Sequence, residues 1–139
     1  MEGVVDTQRL KDVPAKMRNS EDWGTASFDT DGQLVLHIPH AGKTIVIIPT
    51  RRTVLGRQDR NAGIYPDLDL SPYDALVQGV SRQHAAIRRE SGQTLTVVDL
   101  SSSNHTYLNG EQLTPHHPTL LRDGDKLRLG RLVLEVYFR

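Results

Sequence analysis

From Thr25 onward the chain alternates short apolar runs with turn residues. Leu34, Leu36 and Ile38 are separated by Val35 and His37, the period-two spacing of a strand with one buried face. Ahead of that run, Ala26–Phe28 followed by Asp31-Gly32 predicts a first hairpin. Ala41-Gly42 precedes a strand over Thr44–Ile48, and Thr53–Leu55 forms a short strand ending at Gly56. Ala85–Arg89 and Leu95–Leu100 flank Ser91-Gly92, and Thr106–Leu108 and Glu111–Leu113 flank Asn109-Gly110. Asp123-Gly124-Asp125 leads into Lys126–Leu129, and Leu132–Phe138 follows Gly130. Roughly ten to eleven short strands with such close turn spacing predict an all-β sandwich or barrel, not βαβ units.

Two segments stand outside that rhythm. Ile64–Gly79 carries Pro66 and Pro72 and the run Tyr73–Gln78. It is expected as a long surface loop with a strand-like piece near Asp69-Leu70 and room for one helical turn. Loops of that length in compact domains are often functional. Residues 1–24 mix charges of both signs around Val4, Val5 and Pro14 without an apolar period, which predicts a mobile tail. The expected organisation is therefore a tail, 1–24, and one domain, 25–139.

Composition narrows the function classes. The 139 residues hold 17 Lys plus Arg against 17 Asp plus Glu, so nothing in the net charge favours nucleic acid or an anionic membrane as partner. There is no Cys. That excludes disulfides, thiolate metal sites and a Cys nucleophile within this chain, and fits a cytoplasmic protein. No apolar run reaches the ~18 residues of a membrane span, and the first residues lack the apolar stretch of a signal peptide. Apolar residues are 37% of the chain, enough for one thin core.

Candidate chemistry falls in three clusters: Gly56-Arg57 at a strand end, Ser81-Arg82-Gln83-His84 ahead of a strand, and Asp99–Gly110 across two strands and a turn. Each alone reads as ordinary loop polarity. Together they are an anion-binding inventory. Arg supplies a permanent planar charge for paired contacts to phosphate. Ser hydroxyls and loop N–H groups supply further donors, and Asn, donor and acceptor at once, suits a peptide backbone. A hydrolase built on Ser81 and His84 lacks an acid partner, and side chains three apart entering a strand diverge. The six histidines show no zinc spacing, and no glycine-rich nucleotide loop occurs. No metal or cofactor is expected.

In order along the chain, these clusters resemble the forkhead-associated (FHA) domain: Gly-Arg, Ser-Arg-x-His, a Ser-x-Asn-Gly-Thr-like segment and Asn-Gly, with Leu121–Gly130 resembling the late strand and turn. The resemblance covers Thr25–Arg139. It implies an FHA-type β-sandwich with binding loops at one end and a non-catalytic module that binds phosphothreonine-containing proteins, such as a Ser/Thr kinase or its substrates. Residue by residue it makes Arg57, Ser81, Arg82 and Ser103 phosphate contacts and Asn104 a contact to the bound backbone. Gly56, His84, His105, Thr106, Asn109 and Gly110 then shape the loops. His105 departs from the pattern, standing where the family has Gly; it needs a positive φ or a different turn. The alternative reading is a scaffold of the same fold that binds partners without phosphate. Finally, some bacterial members are phosphorylated on an N-terminal Thr that occupies their own pocket. Thr7 is the candidate for that, on a tail able to reach roughly 80 Å at ~3.3–3.6 Å per residue.

Overall fold

The computed structural model describes residues 24–139. Thr7 and the predicted tail, Gly24 excepted, lie outside the described residues. Two sheets make up the domain. Six strands form the first: β1 (Leu34–Ile38), β2 (Lys43–Ile47), β7 (Thr106–Leu108), β8 (Glu111–Gln112), β10 (Lys126–Leu129) and β11 (Leu132–Phe138), in the order β2-β1-β11-β10-β7-β8. Five form the second: β3 (Arg52–Gly56), β4 (Leu68–Asp69), β5 (Gln83–Glu90), β6 (Thr94–Asp99) and β9 (Thr119–Leu121), in the order β4-β3-β5-β6-β9. Every named pairing is antiparallel except β3 with β4.

The core lies between the sheets and follows the period-two rule. Leu34, Leu36 and Ile38 from β1 and Leu132, Leu134 and Val136 from β11 are buried on one side. Leu55, Ala85, Ile87, Leu95 and Val97 meet them from the other. Fully burying each such large aliphatic side chain contributes about 1.5–3 kcal/mol relative to leaving it in water.

Three details differ from expectation. Ala26–Phe28 is not a strand. Phe28 instead plugs the core edge, its ring 5.0 Å from Phe138 in an edge-on arrangement and beneath the Arg89 guanidinium. The chain after the Asp29–Gly32 turn pairs with the C-terminus, Gln33 and Arg139 exchanging two backbone bonds. Second, β9 follows Pro118 and adds to β6 as an edge strand, where the missing N–H of a preceding proline costs nothing. Third, a 3₁₀ turn at Ser71–Tyr73, with Pro72 inside it, stands ahead of the expected run, just after β4 at Leu68–Asp69; within the run, the Gln78 N–H donates to the Asp74 carbonyl at 2.9 Å and closes one turn. The Asn109-Gly110 turn matches the two-residue hairpin type, with φ 51 and 88.

Candidate functional site

β3 and β5 carry the site to one end of the second sheet. At that end the ladder slips by one residue between Leu55 and Gly56, so that Gly56 pairs with Gln83. The backbones come so close there that a Cβ on Gly56 would stand 2.0 Å from the Arg82 carbonyl oxygen. Only glycine fits. The approach lets the Arg57 N–H donate to that carbonyl at 3.0 Å, and the Arg57 side chain is fixed where the strand ends. Its Nε donates to the Val80 carbonyl at 3.0 Å, which leaves the two terminal nitrogens without a bond among the described residues.

Loops from three connections converge on Arg57. The β3–β4 loop is a small hairpin in which Asp59 and Ile64 exchange two backbone bonds of 2.9 Å. Asp59 takes a hydrogen-bonded ion pair from Arg82 at 3.0 Å, and that bond holds its carboxyl below the usual carboxylate range. Asp69 anchors the loop's far side, accepting from the Gln58 N–H, the Ser71 N–H and the Ser71 hydroxyl. Burial works against ionising Asp69, but these donors win and lower its pKa.

The β4–β5 and β6–β7 loops are tied by one histidine. His84 is fully buried. Its Nδ1 accepts from the Ser81 N–H at 2.9 Å, and its Nε2 contacts the His105 carbonyl at 3.0 Å. A carbonyl only accepts, so Nε2 carries the proton and the ring is the neutral Nε2–H tautomer. Burial lowers the pKa of His84, outweighing the His105 carbonyl and the Asp99 charge that favour protonation. Both nitrogens are engaged by backbone groups, so neither is free to take a proton from the Ser81 hydroxyl. A Ser81–His84 nucleophile pair is not formed.

His105 adopts φ 67, a left-handed conformation that costs a non-glycine residue on the order of 1 kcal/mol. The turn holds because its carbonyl is gripped by His84 and by the Gly130 N–H. Asp99 organises the same loop from inside, accepting from the Ser102 hydroxyl at 2.5 Å and the Thr106 hydroxyl at 2.7 Å. Asn109 acts further back, donating to buried Asp125 and accepting from the Lys126 N–H. Gly110 completes that hairpin.

The result is an open cleft of about 330 Å³ lined by Arg57, Ile64, Ser81, Arg82, Gln83, Ser101 and Ser103. Ser81 Oγ accepts from the Ser103 N–H at 3.2 Å, leaving its own proton free to donate. Asn104 stands at the rim, its Nδ2 donating to the Gly79 carbonyl at 3.1 Å; its side-chain carbonyl has no partner among the described residues. So four of the sequence-derived contacts, Arg57, Ser81, Arg82 and Ser103, share one cleft, with Asn104 beside it. Gly56, His84, His105 and Thr106 lie beneath or behind it, and Asn109 and Gly110 lie farther away. Sequence reasoning missed Ile64, Gln83 and Ser101 as lining residues and Asp99 and Asp59 as organisers. Gln83, Asp99 and Ser101 lay inside recognised clusters without being singled out, whereas Ile64 and Asp59 become visible only once the loops are folded together.

A two-sheet sandwich with a cationic, hydroxyl-rich cleft at its loop end defines a β-sandwich binding module. The FHA domain family model matches residues 53–130, and the chain belongs to the FHA-domain family. It is 34% identical over 101 residues to an oxoglutarate dehydrogenase inhibitor of Corynebacterium diphtheriae, an alignment covering 69% of this chain and 66% of that protein. It is 37% identical over 83 residues to the glycogen accumulation regulator GarA of Mycolicibacterium smegmatis, covering 60% and 48%. The chain thus spans from about half to two thirds of the length of these curated relatives. Among solved structures, one from a study of phosphothreonine-dependent FHA domain interactions matches with TM-score 0.56 and 28% identity, covering 76% of this chain and 95% of that one. The FhaA FHA domain complexed with the intracellular domain of Rv3910 matches with TM-score 0.54 and 30% identity, covering 76% and 98%.

Proposed function

We propose that residues 25–139 form a phosphothreonine-dependent protein-binding domain that works in Ser/Thr kinase signalling by occupancy alone, without catalysis. The observation that carries this reading is the shared cleft of Arg57, Ser81, Arg82 and Ser103. A phosphothreonine brings about two negative charges and three acceptor oxygens. Arg57 offers its free terminal nitrogens as a charged fork, Ser81 its hydroxyl proton, and Arg82 a second charge moderated by Asp59. Asn104, steadied by Gly79, accepts or donates to the bound main chain. Because Arg57 and Ser81 are already held by backbone groups and Arg82 by Asp59, little ordering of these three is needed on binding.

Partners are phosphothreonine-containing proteins, a kinase or a kinase substrate among them. The family likeness to a protein described as an inhibitor and to one described as a regulator supports a role in which bound and free states of a target differ. Cytoplasmic placement follows from kinase signalling, and among the described residues no helix is long and apolar enough to cross a membrane. The test is an oriented phosphothreonine peptide library with a matched unphosphorylated library. Selection of phosphopeptides alone supports the reading. Equal retention of both libraries would favour the phosphate-independent scaffold.

A further inference from the structure

Ser101 and His116 meet at the cleft but have no part in the contacts assigned above. Ser101 belongs to the lining, and its Oγ lies 2.9 Å from His116 Nε2. His116 comes from the β8–β9 loop between Pro115 and Pro118, whose rings restrict the backbone. Its N–H donates to the Asp99 carbonyl at 2.8 Å, which clamps the loop to the end of β6, where the Ser101 loop departs. Both residues hold left-handed backbones, φ 59 and 62. Strain of that kind persists only where the surroundings determine it, and it concentrates at binding sites.

On the phosphothreonine reading, we propose that Ser101, positioned by His116, is a further hydrogen-bond donor to the bound phosphoryl group. The hydroxyl has a single proton. When His116 Nε2 accepts it, Ser101 turns only lone pairs toward the cleft, which repel an anion. When Nε2 carries a proton it donates to Oγ, and the hydroxyl proton is released to point at a phosphoryl oxygen. A phosphate therefore selects the Nε2–H form of His116, and the two hydrogen bonds reinforce each other. No carboxylate bonds the other ring nitrogen among the described residues, so the pair has the makings of a donor relay and lacks the orienting acid of a nucleophilic triad.

The test uses substitutions compatible with positive φ. Ser101→Gly removes the hydroxyl, and His116→Asn keeps a left-handed backbone while falling short of Oγ. Each is titrated calorimetrically with a phosphothreonine peptide, with thermal melts as a folding control and Arg57→Ala as reference. Ser101→Gly is expected to bind about tenfold or more weakly, the loss typical of a hydrogen bond to a charged group. His116→Asn should lose nearly as much, and adding it to Ser101→Gly should cost nothing further, the signature of two residues acting as one. In ¹⁵N spectra, saturating peptide should drive His116 to its Nε2-protonated form. Wild-type affinity in folded Ser101→Gly, with Arg57→Ala still inactive, would overturn the inference and leave the phosphothreonine reading intact. Additive losses would remove His116 from it. A wild-type chain that ignores phosphorylation would bring down both.

Discussion

β3 and β5 pair from Arg52 opposite Arg88 at one end to Gly56 opposite Gln83 at the other, and a hollow lined with arginine lies at each end. The hollow at the Arg52 end is the larger, about 660 Å³, and holds Arg51, Arg52, Arg88 and Arg89 with Thr50 and Glu90. Charge alone would make it the better anion site. Its components are otherwise committed or unsupported. Arg89 donates to the Pro49 and Thr30 carbonyls and covers Phe28. Glu90 sits 3.4 Å from Arg88 and accepts from Thr96, and the Thr50 hydroxyl donates to the Arg52 carbonyl. At the Arg57 end there are fewer cations but several hydroxyls, and loops tied together by His84 and Asp99. What distinguishes a phosphate site from a basic surface is the fixed set of hydroxyl and backbone donors around one oriented guanidinium.

The largest expected break is Arg57→Ala, which should cost about 2–5 kcal/mol of phosphopeptide binding, the range for truncating one partner of a charge pair. Calorimetry reads the loss, and an unchanged circular dichroism spectrum shows that the sandwich survives. Gly56→Ala attacks the same end through the backbone. Its Cβ would collide with the Arg82 carbonyl, so the bulge must open. Denaturant unfolding should show about 1–3 kcal/mol lost, as in overpacked sites, and affinity should fall with it.

Acid should act at the cleft end twice. His84 has a lowered pKa from burial, so below about 6.5 the unfolded chain binds the proton more readily and folding stability falls. Above that value the contribution is intact. Thermal melts between pH 7.5 and 5 should therefore decline, with His84 imidazole signals staying neutral to lower pH than those of a free histidine. Affinity should weaken separately as the phosphoryl group passes its second pKa near 6. The same weakening in a His105→Gly variant would assign the effect to the ligand and not to the loop histidine. Flat affinity from about pH 5 to 8 in that variant would contradict a dianion-binding cleft.

At the other end the expected effects are small. Arg52→Ala or Arg88→Ala should leave phosphopeptide affinity within about twofold, and stability within roughly 0.5 kcal/mol. A slight gain is consistent with relieving two like charges directly across the ladder. A tenfold loss of affinity in either would move the binding surface to the wrong end of the sheet.

Much of the fold was legible because period-two burial and glycine turns are local signals. Leu34, Leu36 and Ile38 and the Asn109-Gly110 turn announce themselves within a few residues. Phe28 misled because an apolar residue beside a turn looks alike whether it enters a ladder or plugs a core. β9 was missed because its three residues carry too little pattern behind a proline. The site was legible where residues lie together in sequence, as in Ser81–His84. It was not where partners are distant: Asp59 with Arg82, or Ser101 with His116. Such pairings depend on how loops cross, which no local period encodes.

On the proposed function, the cleft at the Arg57 end, and not the hollow at the Arg52 end, receives the phosphoryl group. The most direct measurement is a phosphothreonine peptide titrated into ¹⁵N-labelled protein, with backbone amide shifts followed at both ends at once. Saturable shifts are expected at Arg57, Ser81, Ser101, Ser103 and Asn104, none at Arg51, Arg52 or Arg88, and no response to the unphosphorylated peptide. Shifts centred on Arg51, Arg52 and Arg88, or equal shifts with the unphosphorylated peptide, would contradict the proposed function.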